Sequence, residues 1–116
     1  MAESPIKRQI IQYLDQLPQA CFMTRLSGSY RGLRGGRVIN AGKNGAPDII
    51  GVYRGWGVAI ETKDVLGPRG GKGGAVQRAS QIAFELEWVA AQGIYVLARS
   101  LEDVILAMRL PVKNLF

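Results

Sequence analysis

The chain has 116 residues, 47% of them hydrophobic, which is enough for one compact core and too little for two domains of ordinary size, so residues 1–116 are expected to form one domain. Fifteen Lys and Arg against nine Asp and Glu leave a net charge of +6, which suits a polyanionic partner such as nucleic acid. A lone cysteine, Cys21, excludes an internal disulfide and a multi-cysteine zinc site, and the lack of histidine excludes Ser-His, Cys-His and His-metal chemistry, leaving carboxylates, lysine, and bound metal or water.

Ser4-Pro5 reads as an N-cap with proline at the first helical position. Ile6, Ile10, Tyr13, Leu14 and Leu17 then recur at helical spacing, predicting a helix over residues 5–17 that Pro18 ends. Residues 20–26, ACFMTRL, suit a short strand. The stretch SGSYRGLRGGRVINAGKNG is rich in glycine and arginine and reads as a long connection with one short strand. Residues 48–53 and 58–63 are β-rich runs separated by RGWG, the pattern of an antiparallel hairpin. A glycine-rich LGPRGGKGG follows; it is no phosphate loop, because Gly73 stands where Ser or Thr is needed. In AVQRASQIAFELEWVAAQG the residues Ala79, Ile82, Ala83, Leu86, Val89 and Ala90 form the apolar stripe of a helix, with Gly93 placed as its C-terminal cap. IYVLA is a buried strand, and Ser100 with Asp103 resembles a capping box opening a last helix from 101 to about 109 before Pro111. This order implies an α/β sandwich, a mixed central β-sheet flanked by helices. No apolar run approaches the roughly 20 residues that span a bilayer, and the N-terminus lacks the layout of a signal peptide, so a cytoplasmic protein with no membrane partner is expected.

The charge inside the hairpin is the chemical content of the sequence. Alternation turns Val58, Ile60 and Thr62 one way and Ala59, Glu61 and Lys63 the other. With an even loop, position 48 pairs near 63 and 50 near 61, so Asp48 joins Glu61 and Lys63 on one face. Two convergent carboxylates repel unless a positive charge lies between them, and a hard cation such as Mg2+ or Mn2+ takes oxygen ligands of this kind, with the Thr62 carbonyl as a further oxygen. Such an ion activates water and neutralises charge on a phosphate, while a lysine orients or deprotonates that water: the chemistry of phosphodiester hydrolysis. The bland alternative makes Asp48 a turn residue after Pro47, and Glu61 and Lys63 a solvated strand edge. Arg25, Arg31, Arg34, Arg37 and Lys43 before this hairpin, with Arg69, Lys72 and Arg78 after it, are placed either to grip phosphates or to solvate loops. Tyr30 and Trp56 are candidates for stacking on bases, or in the case of Trp56 for covering an edge.

Pro47-Asp48, a gap of twelve residues, and Glu61-Thr62-Lys63 resemble the PD-(D/E)XK nuclease signature. The surrounding NGAPDIIGV and GVAIETKD, the Gln-bearing helix and GIYVLARSLEDV are similar to the VRR-NUC branch, a resemblance running from Glu3 to about Val104. The resemblance implies a restriction-endonuclease-like sandwich and metal-dependent DNA cleavage, with Asp48 and Glu61 as metal ligands and Lys63 as the catalytic lysine. It also implies an acid from the first helix, for which Glu3 competes with Asp15, and a glutamine facing the site, for which Gln81 fits better than Gln77. Small stand-alone members resemble phage or bacterial homodimers that cut branched DNA such as four-way (Holliday) junctions. Two other readings stand beside this one: a nucleic-acid-binding module without catalysis, and a nuclease acting on linear duplex DNA or RNA.

Overall fold

The structure, a computed structural model, describes residues 4–26, 29–33, 38–40, 45–63 and 79–113. Ser4 caps the first helix, α1 (Pro5–Asp15), its Oγ accepting the Lys7 amide at 3.1 Å. The helix stops short of Leu17 because the residue before a proline is driven out of the α region, here by Pro18. The glycine- and arginine-rich stretch carries two strands where one was expected: β1 (Ala20–Leu26) pairs antiparallel with β2 (Ser29–Gly32), and β2 with β3 (Val38–Asn40).

The charged hairpin forms from β4 (Ile49–Tyr53) and β5 (Trp56–Thr62), but its tip is smaller than RGWG. Tyr53 pairs with Trp56 across a two-residue turn, Arg54–Gly55, both at positive φ (52° and 89°), the conformation whose twist suits a hairpin. Trp56 and Gly57 therefore belong to β5. Ile49 pairs with Ile60, so Asp48 falls opposite Glu61 rather than Lys63; the offset of two leaves every side chain on its expected face. After α2 (Ala79–Ala90) the chain returns as β6 (Ile94–Ala98), parallel to β5, and ends with α3 (Leu101–Ala107), which Ser100 caps through the Asp103 amide.

The sheet is mixed, in the order β3-β2-β1-β4-β5-β6, and among the described residues it carries three helices. On one face Phe22, Ile49, Val58, Ile60, Val96 and Ala98 pack with Ile10 and Leu14 of α1 and with Val104 of α3. On the other, Met23, Tyr30, Ile50 and Ala59 meet Phe84 and Trp88 of α2. The expected apolar stripe of α2 does not face this core: Leu86 is 67%, Val89 50% and Ile82 42% exposed. Aromatic side chains bury more apolar area than aliphatic ones, so the stacked Phe84 and Trp88, centroids 5.7 Å apart, take the inward face, and Gln81 lies on it one turn earlier. Among the described residues no helix is long and apolar enough to cross a membrane.

The hairpin tip is fastened from outside. Arg54 donates from its amide to the Gln19 carbonyl at 3.0 Å and from Nη1 to the Leu110 carbonyl at 3.0 Å, and its own carbonyl accepts the Lys113 amide at 2.8 Å. Trp56 donates Nε1–H to the Pro111 carbonyl at 2.9 Å while the Lys113 ammonium lies 4.7 Å above its ring. Trp56 thus closes this end of the sheet against the C-terminal segment, the edge-covering alternative for this residue.

Candidate active site

Register places one row of polar side chains across the sheet. Tyr30 on β2 pairs with Arg25 on β1, the Arg25 amide donates to the Asp48 carbonyl at 2.7 Å, and Asp48 lies opposite Glu61. Laterally paired residues share a face, so the row lies on the α2 side. Lys63, two residues beyond Glu61, follows on the same face, its amide anchored to the Ala98 carbonyl at 2.9 Å.

Glu61 is 3% and Lys63 5% exposed, and they are the buried charged side chains among the described residues. Buried charge is tolerated when it is paired and hydrogen-bonded. Gln81, reaching in from the first turn of α2, supplies the link: its Nε2 donates to Glu61 Oε2 and its Oε1 accepts from Lys63 Nζ at 3.0 Å. An amide is the side chain that can satisfy a carboxyl oxygen and an ammonium at once. Thr62 organises the other acid, donating to Asp48 Oδ2 from its amide at 3.0 Å and from its hydroxyl at 2.7 Å.

The two acids are driven apart in proton affinity. Burial, then the hydrogen bond to Asp48 and the charge of Asp48, push Glu61 up to about 9, against the lowering influence of Lys63. Asp48 is raised by its own burial, but the hydrogen bonds from Glu61 and from the Thr62 hydroxyl and amide, together with the Lys7 charge, bring it below the usual range. With Glu61 pushed up and Asp48 pushed down, the metal-free pair is set to share one proton at neutral pH. Asp48 and Glu61 are the carboxyl side chains here that could hold a hard cation; among the described residues no group of three or more Asp, Glu or Cys side chains converges.

The other expected residues divide into three groups. Gln81 is at the site; Glu3 and Gln77 lie outside the described residues, as do Arg34, Arg37, Lys43, Arg69, Lys72 and Arg78. Asp15 is exposed at the end of α1 beside Ala20, Cys21 and Phe22, the end of β1 away from Arg25, whereas the charge of Lys7, in the first turn of α1, contributes to lowering Asp48. Arg31 is exposed on β2, and alternation puts it on the face opposite Tyr30. Tyr30 is 8% exposed, and its hydroxyl donates to the Pro47 carbonyl at 2.6 Å, so it is a structural neighbour of Asp48 rather than a stacking platform. Arg25 is half-buried, and its Nη1 donates to the Ala46 carbonyl at 2.9 Å, so this guanidinium is turned toward the protein.

Gly45 was not singled out by sequence reasoning beyond its place before Pro-Asp. It sits at φ +79°, and a Cβ there would lie 2.2 Å from the Ser80 carbonyl oxygen. The backbone preceding Asp48 thus runs directly against the first turn of α2, which brings Gln81 within reach of Glu61. A glycine two residues before Pro47 is the only signal the sequence gives of that approach. Compared with known proteins, the chain matches no family model, no curated protein and no solved structure.

Proposed function

We propose that this protein is a magnesium- or manganese-dependent DNA endonuclease of the PD-(D/E)XK type, a VRR-NUC-like restriction-endonuclease-like sandwich acting in the cytoplasm on branched DNA such as four-way junctions. The observation that carries the reading is the convergence of Asp48, Glu61 and Lys63 at one end of the β4–β5 hairpin, with Gln81 tying Glu61 to Lys63. Burying so much ionisable chemistry costs stability, and a solvated strand edge would leave these groups in water.

In this reading Asp48 and Glu61 hold the ion, with the Thr62 carbonyl beside them. The ion when bound polarises the scissile phosphate and lowers the pKa of water. Thr62 fixes the direction of the Asp48 carboxylate. Gln81 sets the Lys63 ammonium, whose three N–H donors orient the attacking water and meet charge developing on the phosphate. The net charge of +6 favours association with DNA through its backbone. The outward stripe of Ile82, Leu86 and Val89 on α2 supports pairing of two copies, since exposed apolar surface in a contiguous patch marks an interaction face.

The test is cleavage of a labelled four-way junction beside a matched linear duplex, in magnesium, manganese or chelator, by wild type and by Lys63→Ala. Junction cutting that needs metal and is lost in the variant is the expected result. No cutting of either substrate, with junction binding intact in chelator, would make the protein a DNA-binding module without catalysis. Equal cutting of the linear duplex, or of an RNA competitor, would retain the nuclease and replace its target.

A further inference from the structure

Asp48 stands just before β4, yet three successive carbonyls around it are tied to the β1–β2 hairpin. The Ala46 carbonyl accepts from Arg25 Nη1 at 2.9 Å, the Pro47 carbonyl from the Tyr30 hydroxyl at 2.6 Å, and the Asp48 carbonyl from the Arg25 amide at 2.7 Å. The first two bonds come from side chains, so they depend on residue identity and not on strand pairing alone. Tyr30 packs among Ala46, Ala59 and Phe84, where its ring fills the space between sheet and α2 while its hydroxyl reaches the loop. Proline at 47 has no N–H to bond, so the loop depends on its carbonyls for anchorage.

We propose that Tyr30 and Arg25 are positioning residues for Asp48, fixing the 46–48 backbone so that the Asp48 carboxylate meets Thr62 and Glu61 in the geometry that receives the cation. The cation half of this inference rests on the metal-dependent reading above; the placement of Asp48 does not. Partners one step removed from a metal ligand act by orienting it, and losing one commonly weakens metal binding by about 10- to 100-fold.

Tyr30→Phe keeps the ring and removes only the hydroxyl. Two readouts separate the parts of the inference. Amide hydrogen exchange at Thr62, whose N–H is held by the Asp48 carboxylate, is expected to accelerate by about tenfold while the Val58 and Ile60 amides keep their protection, a local opening rather than global loss. Binding of Mn2+ alone, followed by calorimetry, is expected to weaken by about tenfold or more, and cleavage to recover as Mn2+ is raised, so that the loss is in metal affinity and not in turnover. Unchanged Thr62 exchange together with wild-type Mn2+ affinity overturns the proposal. Accelerated Thr62 exchange in a protein that binds no Mn2+ even as wild type sustains the positioning of Asp48 and overturns its link to a cation, and with it the metal-dependent reading. Arg25→Met, which removes the Ala46 contact and keeps most of the apolar stem, carries the same expectations if Tyr30→Phe does not fold.

Discussion

Replacing Glu61 by Gln should change how the metal-free protein responds to pH more than it changes its shape. The carboxyl of Glu61 lies at about 9 in the folded chain against an ordinary value of 4.5, because burial and the neighbouring Asp48 disfavour its ionised form. Below 4.5 both folded and unfolded chains carry the proton, so its contribution to stability is then fully present. As pH rises toward about 9 the unfolded chain releases a proton that the folded chain retains, and stability falls by up to about 1.4 kcal/mol per pH unit. Across that window the loss reaches several kcal/mol, a large share of the roughly 5–15 kcal/mol that holds a domain together. Asp48 acts in a separate range: its lowered affinity contributes stability above its ordinary 3.8 that disappears only on acidification. Urea denaturation in chelator at pH 5, 7 and 8.5 reads the slope directly. Wild type should weaken steadily over this series, whereas Glu61→Gln, which keeps a polar partner for Gln81 and cannot ionise, should be nearly level. A wild-type protein equally stable at all three values, or a variant that parallels it, would refute the shared-proton account of the pair.

Three other outcomes follow from the geometry. Gln81→Ala leaves the buried Glu61 and Lys63 without their common partner and should cost about 1–3 kcal/mol in urea denaturation and, on the proposed nuclease reading, reduce cleavage in parallel. Gly45→Ala puts a methyl group 2.2 Å from the Ser80 carbonyl at a φ that disfavours it, and should lower thermal stability by more than about 1 kcal/mol, with α2 displaced from the site. On the proposed pairing of two copies, Leu86→Lys on the exposed stripe should alter monomer stability by no more than about 0.5 kcal/mol, yet shift the sedimentation of the protein from dimer to monomer.

Much of the architecture was legible because it is set by short-range rules. The Ser4 and Ser100 caps, the alternation along β5 and the placement of Asp48 on the face of Glu61 follow from local chemistry and from a period of two. What escaped depends on competition or on distance. In α2 two apolar surfaces vied for the sheet, and the aliphatic stripe read from periodicity lost to Phe84 and Trp88, a result decided by area rather than spacing. The bonds from Tyr30 and Arg25 to the loop before Asp48 require knowing that β1 lies between β2 and β4, a strand order no local pattern reveals. The basic residues raise the net charge wherever they lie, but Arg25 shows that an arginine beside a polar site can serve the backbone instead of a ligand.

The fastened hairpin tip has a bearing on chemistry at the far end of the same strands. Apolar alternation alone tolerates a slip of two residues, since every side chain then returns to its own face. In the slipped arrangement Asp48 would stand across from Lys63, and the strands would close on an acid–base ion pair. Two acids would no longer meet. The choice between these outcomes is made roughly 20 Å away, where Arg54 and Gly55 accept left-handed backbone and the Gln19, Leu110, Pro111 and Lys113 contacts hold the turn to two residues. A four-residue turn over 54–57, with Tyr53 opposite Val58, would exchange a pair of carboxyls for a salt bridge without altering either acid or the lysine.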